Sequence, residues 1–290
     1  MWKVSLKPED LIKQIKSLVP VPDIAFKLNE LVDNDVAGVN DALRVLATDP
    51  VLSAKLLRIA NSPIYGNRAK VDTLERAVML VGMNGLRELV WTAVAMESFV
   101  NSNIPSAAHK LIWSESLYTA MLAKNLAAKC RVMNKSRLFL AGLLHDVGRL
   151  VMYQCMPNEM SIVMSYVDDE KMSLVDAESL EFGFTHAEVG GELLKNWNLP
   201  ASLVDTAFYH HEPSRCSLHK MESAVVNIAA NIAALKMLNI PLDINELNIS
   251  AKTWEITGLS KKSVESVIEI SEDQYQDAKQ VFFIPTGIAA

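Results

Sequence analysis

Cysteine is too scarce and too irregularly placed to build anything. Cys130, Cys155 and Cys216 are an odd number in no paired or zinc-ribbon spacing, which excludes a disulfide scaffold and a cysteine-rich metal fold. Residues 1–20 have no cleavable-looking signal and read as an amphipathic helix, so the chain is expected to be reduced and cytoplasmic. Glycine and proline, at 11 each in 290 residues, are too few for a collagen-like or linker protein. A basic excess is missing too. The net charge is −6, with 12 basic and 11 acidic side chains in residues 1–90 and 16 and 23 in the remainder. Neither part carries the positive field on which non-specific nucleic-acid or anionic-membrane binding depends, so neither partner is expected. No uncharged apolar run reaches the roughly 18 to 20 residues of a membrane span. The nearest, 223–235, is short and holds two Asn, and a soluble chain is expected. P-loop, GxGxxG and GxSxG patterns are also lacking.

What is present is a chain 50% hydrophobic and 21% charged, a globular balance rather than a disordered one. Apolar residues recur at three- and four-residue spacing almost throughout, without clean alternation, which predicts an all-α fold. Helices are expected over 8–18, 22–33, 39–47, 50–61, 73–81, 84–100, 107–131, 135–154, 158–168, 173–182, 186–197, 200–212, 219–238, 260–269 and 272–282. Asp49-Pro50, and less cleanly Ser5–Pro8 and Asn198–Pro200, supply start signals. Thr185-x-x-Glu188 and Ser271-x-x-Gln274 look like capping boxes, while Gly38, Gly66, Gly82 and Gly258 punctuate. The polar cluster Asn101–Ser106 is the clearest break, and all six His follow it. The expected organisation is an N-terminal helical subdomain over 1–103, a second helical domain over 104–240, and C-terminal helices over 241–290 that complete it.

The chemistry-bearing residues lie in the second part. His145-Asp146 closes the apolar run LFLAGLLHDVGRL, setting a neutral nitrogen ligand and a charge-compensating carboxylate against an apolar wall. His186 opens a helix in FGFTHAEVGGELL, where the helix N-terminus favours the neutral imidazole that a metal requires. His210-His211 ends a helix in LPASLVDTAFYHHEP, its rings about 100° apart on a helical wheel. Each has a bland alternative: a solvated helix end, a first-turn surface residue, or a pair favoured by the C-terminal dipole. His109 and His219 read as surface residues, Lys55, Arg58 and Arg149 as solvated helix faces, and the 13 Met as core filler.

The succession His145-Asp146, His186 with its AEVG tail, and His210-His211 resembles the ligand order of the HD superfamily of metal-dependent phosphohydrolases and its HD-GYP branch. The N-terminal stretches VPVPDIAFKLNELV, LATDPVLSAKLLRIANSPIYG and TLERAVMLVGMNGLRELV resemble the HDOD family, the HD-related output domain of bacterial signalling proteins. The resemblance spans about residues 15–212, with 49–66 its most specific motif, and implies a multi-helical HD-like architecture. It implies a second-ion set of Asp146, His186, His210 and His211. The first-ion set would be Glu115, His145, Asp146 and Asn231, where Glu115 stands in IWSESLYTA at the family's first His and Asn231 in VVNIAANIAAL at its final Asp. Asn is a poor ligand, and the GYP signature is missing because His211 runs into Glu212-Pro213.

The resemblance therefore implies a bacterial signal-transduction or regulatory HDOD protein, non-catalytic, with a degenerate or single-metal site. One or two divalent ions (Fe, Mn, Ni or Zn) are the expected cofactor. The partner would be a signalling protein or a small-molecule ligand. The alternatives are a metal-dependent phosphohydrolase of a nucleotide or cyclic dinucleotide, with Asp146 and Glu115 as its catalytic residues, and a metal-free interaction protein.

Overall fold

The computed structural model describes residues 6–18, 21–34, 37–62, 71–99, 103–130, 132 and 135–282. All described regular structure is helical: α1 (Pro8–Leu18), α2 (Asp23–Asp33), α3 (Val39–Leu46), α4 (Pro50–Ala60), α5 (Leu74–Ser98), α6 (Ser106–Lys129), α7 (Lys135–Leu144), α8 (Val147–Cys155), α9 (Pro157–Asp169), α10 (Leu174–Phe182), α11 (His186–Asn196), α12 (Ala201–Tyr209), α13 (Lys220–Met237), α14 (Ala251–Thr257) and α15 (Lys261–Phe282). A single 3-10 turn, Pro213–Arg215, follows α12. Gly66, residues 63–66 of the most specific motif, Ser5, and Asn101 and Ser102 of the expected break lie outside the described residues.

The start signals act through backbone groups that a helix leaves unpaired. Asp49 accepts from the Leu52 N–H at 2.9 Å with Pro50 in the first turn, and Glu188 accepts from the Thr185 N–H at 2.8 Å. Gly82 interrupts α5 at φ 72°, so the two expected helices, 73–81 and 84–100, meet there end to end. By composition α5 is long and apolar enough to cross a membrane. However, 67% of its most apolar window is buried inside the fold, as in a core helix.

Four expectations need correction. The helix expected over 135–154 breaks at His145-Asp146, because the His145 ring turns back to bond the Gly142 carbonyl at 2.8 Å and α8 restarts at Val147. The helix expected over 200–212 ends at Tyr209, leaving the histidine doublet beyond it. The two helices expected over 260–269 and 272–282 are one. The Ser271 hydroxyl donates to the Val267 carbonyl at 2.6 Å within the helix and forms no capping box. Helix α14, capped by the Ser250 hydroxyl, is too short to show apolar periodicity and is absent from the sequence reading.

α6 packs most extensively on α7 and α13, and α11 lies between α12 and α8. α1 reaches across the chain to pack on α11 and α8, α15 lies on α6, and α2, α3 and α4 each pack on α5. Gly148 is where α8 and α11 meet backbone to backbone: a Cβ there would lie 2.0 Å from the His186 carbonyl oxygen. That contact sets the first residue of α11 beside the His145-Asp146 break.

Candidate metal centre

Three helix ends meet in the interior. The α7–α8 break supplies His145 and Asp146, the first residue of α11 supplies His186, and the end of α12 supplies His210 and His211. One ligand atom from each of Asp146, His186, His210 and His211 lies within 4.8 Å of all the others. Asp146 is 4% exposed, and His145, His186 and His210 are each 1% exposed; His211 is the outermost. Asp146 Oδ1 faces three rings, at 3.2 Å from His186 Nε2 and 3.5 Å from both His210 Nε2 and His145 Nε2. His211 Nε2 lies 2.8 Å from His186 Nε2.

The outer ring nitrogens fix the inner ones. His145 Nδ1 and His210 Nδ1 each lie 2.8 Å from a backbone carbonyl, of Gly142 and Ala207. A carbonyl only accepts, so those nitrogens carry the protons and Nε2 presents its lone pair inward. His186 Nδ1 lies 2.7 Å from Glu178 Oε2, which also accepts from the His186 backbone N–H at 2.9 Å. Glu178 is fully buried on α10. A carboxylate behind a histidine is the arrangement that orients metal-ligating imidazoles and raises their basicity. Asn227, on α13, donates to the His210 carbonyl at 2.7 Å and holds the chain beyond α12. The inward His210 Nε2 is buried and has no hydrogen-bond partner among the described residues, an orphan that a cation would satisfy.

The electrostatics follow from this packing. Burial alone would raise the Asp146 carboxyl, but His145, Arg149 and His186 hold it well below the usual range. Burial pushes His210 down to about 4 and also lowers His145 and the crowded inner edge of His211. Burial acts against a charged His186 as well, yet Glu178 and Asp146 outweigh it and raise the ring to about 10. Without an ion, His186 is therefore the ring that carries the positive charge into this centre.

Of the residues expected on the first-ion side, Glu115 and Asp146 are brought together, but by a guanidinium. Arg149 Nη1 donates to Asp146 Oδ2 at 2.7 Å and to Glu115 Oε2 at 2.9 Å, with all three side chains largely buried. Those two carboxylates raise the Arg149 pKa against the opposing effect of burial. Glu115 is itself raised, by burial. The reading of Arg149 as a solvated residue is thus corrected: it lies three residues after Asp146, on the inner face of the first turn of α8. Asn231 is only partly buried and donates to the Asn227 carbonyl one turn earlier, at 2.9 Å. His109 and His219 are not free surface residues. His109 accepts from the Trp113 indole at 3.2 Å, and His219 lies 2.7 Å from Asp205. Lys55 and Arg58 are half-buried, and Lys55 pairs with Glu97. Glu178 was missed altogether. Its only sequence signal is a carboxylate one turn after Leu174, on the apolar side of a short helix.

An all-α fold with a buried His/Asp centre at three helix ends defines an HD-like domain. The pattern that defines the HDOD domain matches residues 18–213, and the chain belongs to the HDOD domain family. It is similar to the crystal structure of an HDOD domain protein of unknown function from Geobacter sulfurreducens, with TM-score 0.77, 28% identity, and coverage of 94% of this chain and 98% of that one. Two further crystal structures share the fold. A Shewanella amazonensis SB2B protein provisionally described as a phosphohydrolase has TM-score 0.75 and 23% identity, covering 94% and 97% of the two chains. A Marinobacter aquaeolei VT8 protein provisionally described as a signal transduction protein has TM-score 0.73 and 18% identity, covering 97% and 62%. An uncharacterized protein of Treponema pallidum (strain Nichols) is 25% identical over 205 residues, which is 68% of this chain but 38% of that relative, so the chain spans well under half of its length.

Proposed function

We propose that this is a regulatory HDOD protein with a single-ion centre at Asp146, His186, His210 and His211, and that it does not hydrolyse phosphodiesters. One observation carries the reading: Arg149 sits between Glu115 and Asp146 Oδ2, where the resemblance would put the first ion. The charges agree. With Glu115, Asp146 and Glu178 ionised and the imidazoles neutral, these groups and Arg149 sum to two negative charges. One divalent cation cancels that and two would exceed it; protonation of Glu115, favoured by its burial, only lowers the demand.

A bound divalent ion acts as a Lewis acid that accepts an anionic or neutral oxygen donor, while two-ion centres divide hydroxide generation and phosphate neutralisation between them. Here Glu178 holds the His186 proton at Nδ1, the Gly142 and Ala207 carbonyls do the same for His145 and His210, and Arg149 ties down the outer oxygen of Asp146. These residues position a binding centre, with Arg149 engaging one oxygen of Asp146 and one of Glu115. Three imidazoles and one carboxylate suit Fe, Mn, Ni or Zn. The remaining part of the proposal is a bacterial, cytoplasmic setting, with a signalling protein or small molecule as partner.

The test is elemental analysis of protein purified without added metal, followed by Mn²⁺- or Fe²⁺-supplemented assays on bis(p-nitrophenyl) phosphate and on cyclic dinucleotides. One ion per chain without turnover is expected. Two ions per chain, or turnover that disappears in Asp146→Ala, would overturn the reading in favour of a phosphohydrolase; no ion would favour a metal-free interaction protein.

A further inference from the structure

At the far end of α11 from His186, a cavity of about 280 Å³ opens among α1, α2 and α11. Its walls are Ile15, Val21, Phe26, Phe99, Leu193 and Trp197, with Asn196 at the rim. The aromatic wall is held from behind: Trp91, fully buried, stacks on Trp197 (centroids 5.4 Å, 22°) and meets Phe26 edge-on (5.8 Å, 80°). Cavities of ~150 Å³ lined by such side chains stay dry and admit benzene, so this one has room for a fused bicyclic ring. Asn196 also lines a second, more open groove of about 410 Å³, whose other walls are Glu9, Ile12, Lys13, Glu192, Lys195 and Asn198. Asn196 thus stands between an apolar slot and a surface that carries both signs of charge. The groove's cations have only loose partners, since Lys13 pairs with Asp10 at 3.0 Å and Lys195 with Glu192 at 3.2 Å in exposed pairs that contribute little and exchange readily.

We propose that the cavity and groove together form a binding site for a small aromatic zwitterion, with its ring between Phe26, Phe99 and Trp197. Its anionic end would face Lys13 and Lys195, and its cationic end Glu9 and Glu192. The apolar slot supplies desolvation and shape, and the mixed-charge rim selects a head group with both charges over a purely anionic or cationic one. The site lies about 15 Å along α11 from His186, by its rise per residue, and needs no ion.

The experiment is ¹⁹F NMR of 5-fluoro-L-tryptophan and 5-fluoroindole titrated with the full chain. Saturable broadening of 5-fluoro-L-tryptophan is expected, with 5-fluoroindole at least tenfold weaker. Val21→Trp, which fills the slot from its partly exposed edge, should abolish both signals, and Val21→Ala should keep them. Lys195→Ala, at an exposed position that leaves the core untouched, should reduce the zwitterion to the affinity of indole even if Val21→Trp fails to fold. Absence of binding overturns the site, equal binding of the two probes overturns the head-group assignment, and binding that survives in folded Val21→Trp overturns the location.

Discussion

On one side of Asp146, imidazole nitrogens converge around Oδ1 with no cation among the described residues except a protonated His186; on the other, Arg149 donates to Oδ2 and to Glu115. Both sides face the same problem, since a buried carboxylate needs positive charge or hydrogen bonds close by. The Arg149 side solves it with a fixed, permanently charged guanidinium whose Nη1 reaches both carboxylates. The histidine side solves it with imidazoles, three of them pushed toward the neutral form by burial, and those three present lone pairs. A proton on His186 and a metal ion are alternatives for the one place where positive charge is still wanted. The side with a built-in guanidinium needs no ion, and the side that presents lone pairs is where an ion fits.

The largest effect is expected from removing the residue both sides share. Asp146→Ala leaves Arg149 with Glu115 alone and strips the rings of their carboxylate. Loss of all bound metal is expected, with a stability cost of ~3–5 kcal/mol by urea denaturation, the usual result of removing one partner of a buried pair. Retention of metal in this variant would show that Asp146 is not a ligand. Next comes Arg149→Met, which leaves two carboxylates facing each other without a cation. A similar loss, about 3 kcal/mol, is expected in metal-free buffer. Millimolar Mn²⁺ should recover part of it, with the ion count by elemental analysis rising from one to two. An unchanged count would mean that Arg149 does not stand in for an ion. A finer probe is Glu178→Gln, which keeps the shape but weakens the hold on His186 Nδ1. Metal affinity should fall ~10- to 100-fold by competition with a chelator. His109→Ala, outside the centre, should leave it unchanged, and equal effects of the two would sink the role of Glu178 in orienting His186.

The two sides were unequally legible in the amino-acid sequence. The histidine side could be read because its residues come as short adjacent signals, His-Asp and His-His, at the ends of apolar runs, and because the family likeness orders them. The Arg149 side could not. A cation three residues after an aspartate resembles any exposed helix turn, and only the approach of α6, carrying Glu115 from 34 positions away, turns it inward. Glu178 was hidden for the same reason: its partner is a ring on the next helix, and a carboxylate on a nine-residue helix has no period to betray it. The all-α class and most helix ranges followed from periodicity and caps. The break at His145-Asp146 did not, because the apolar pattern runs through it and the interruption comes from a ring turning back onto Gly142. Tertiary contacts also joined the last two expected helices, since Ser271 bonds within α15 and accepts from Asn125 on α6 at 2.8 Å.

The gentlest test asks whether any buried cation of this chain would have served in place of Arg149. Lys124 on α6 is one such case, half-buried and attracted by Glu88, itself buried on α5. Its pKa moves the opposite way, lowered by burial from 10.5 to about 8, with Glu88 only partly opposing the shift. A compact ammonium near one carboxylate does not recover its lost hydration, whereas a guanidinium held by two does. The sign follows. In the unfolded chain the lysine keeps its proton up to about 10.5, but in the fold only up to about 8, so its cost is present in full below pH 8 and fades as pH rises toward 10.5. Lys124→Met should therefore stabilise the protein at pH 7 by about 1 kcal/mol, the gain being limited by solvent screening at a half-buried position. That advantage should shrink by pH 10 in paired urea titrations. A variant destabilised at pH 7, or an advantage that grows with pH, would mean that Lys124 is held as firmly as Arg149, and that the contrast between the two sides of Asp146 does not turn on guanidinium chemistry.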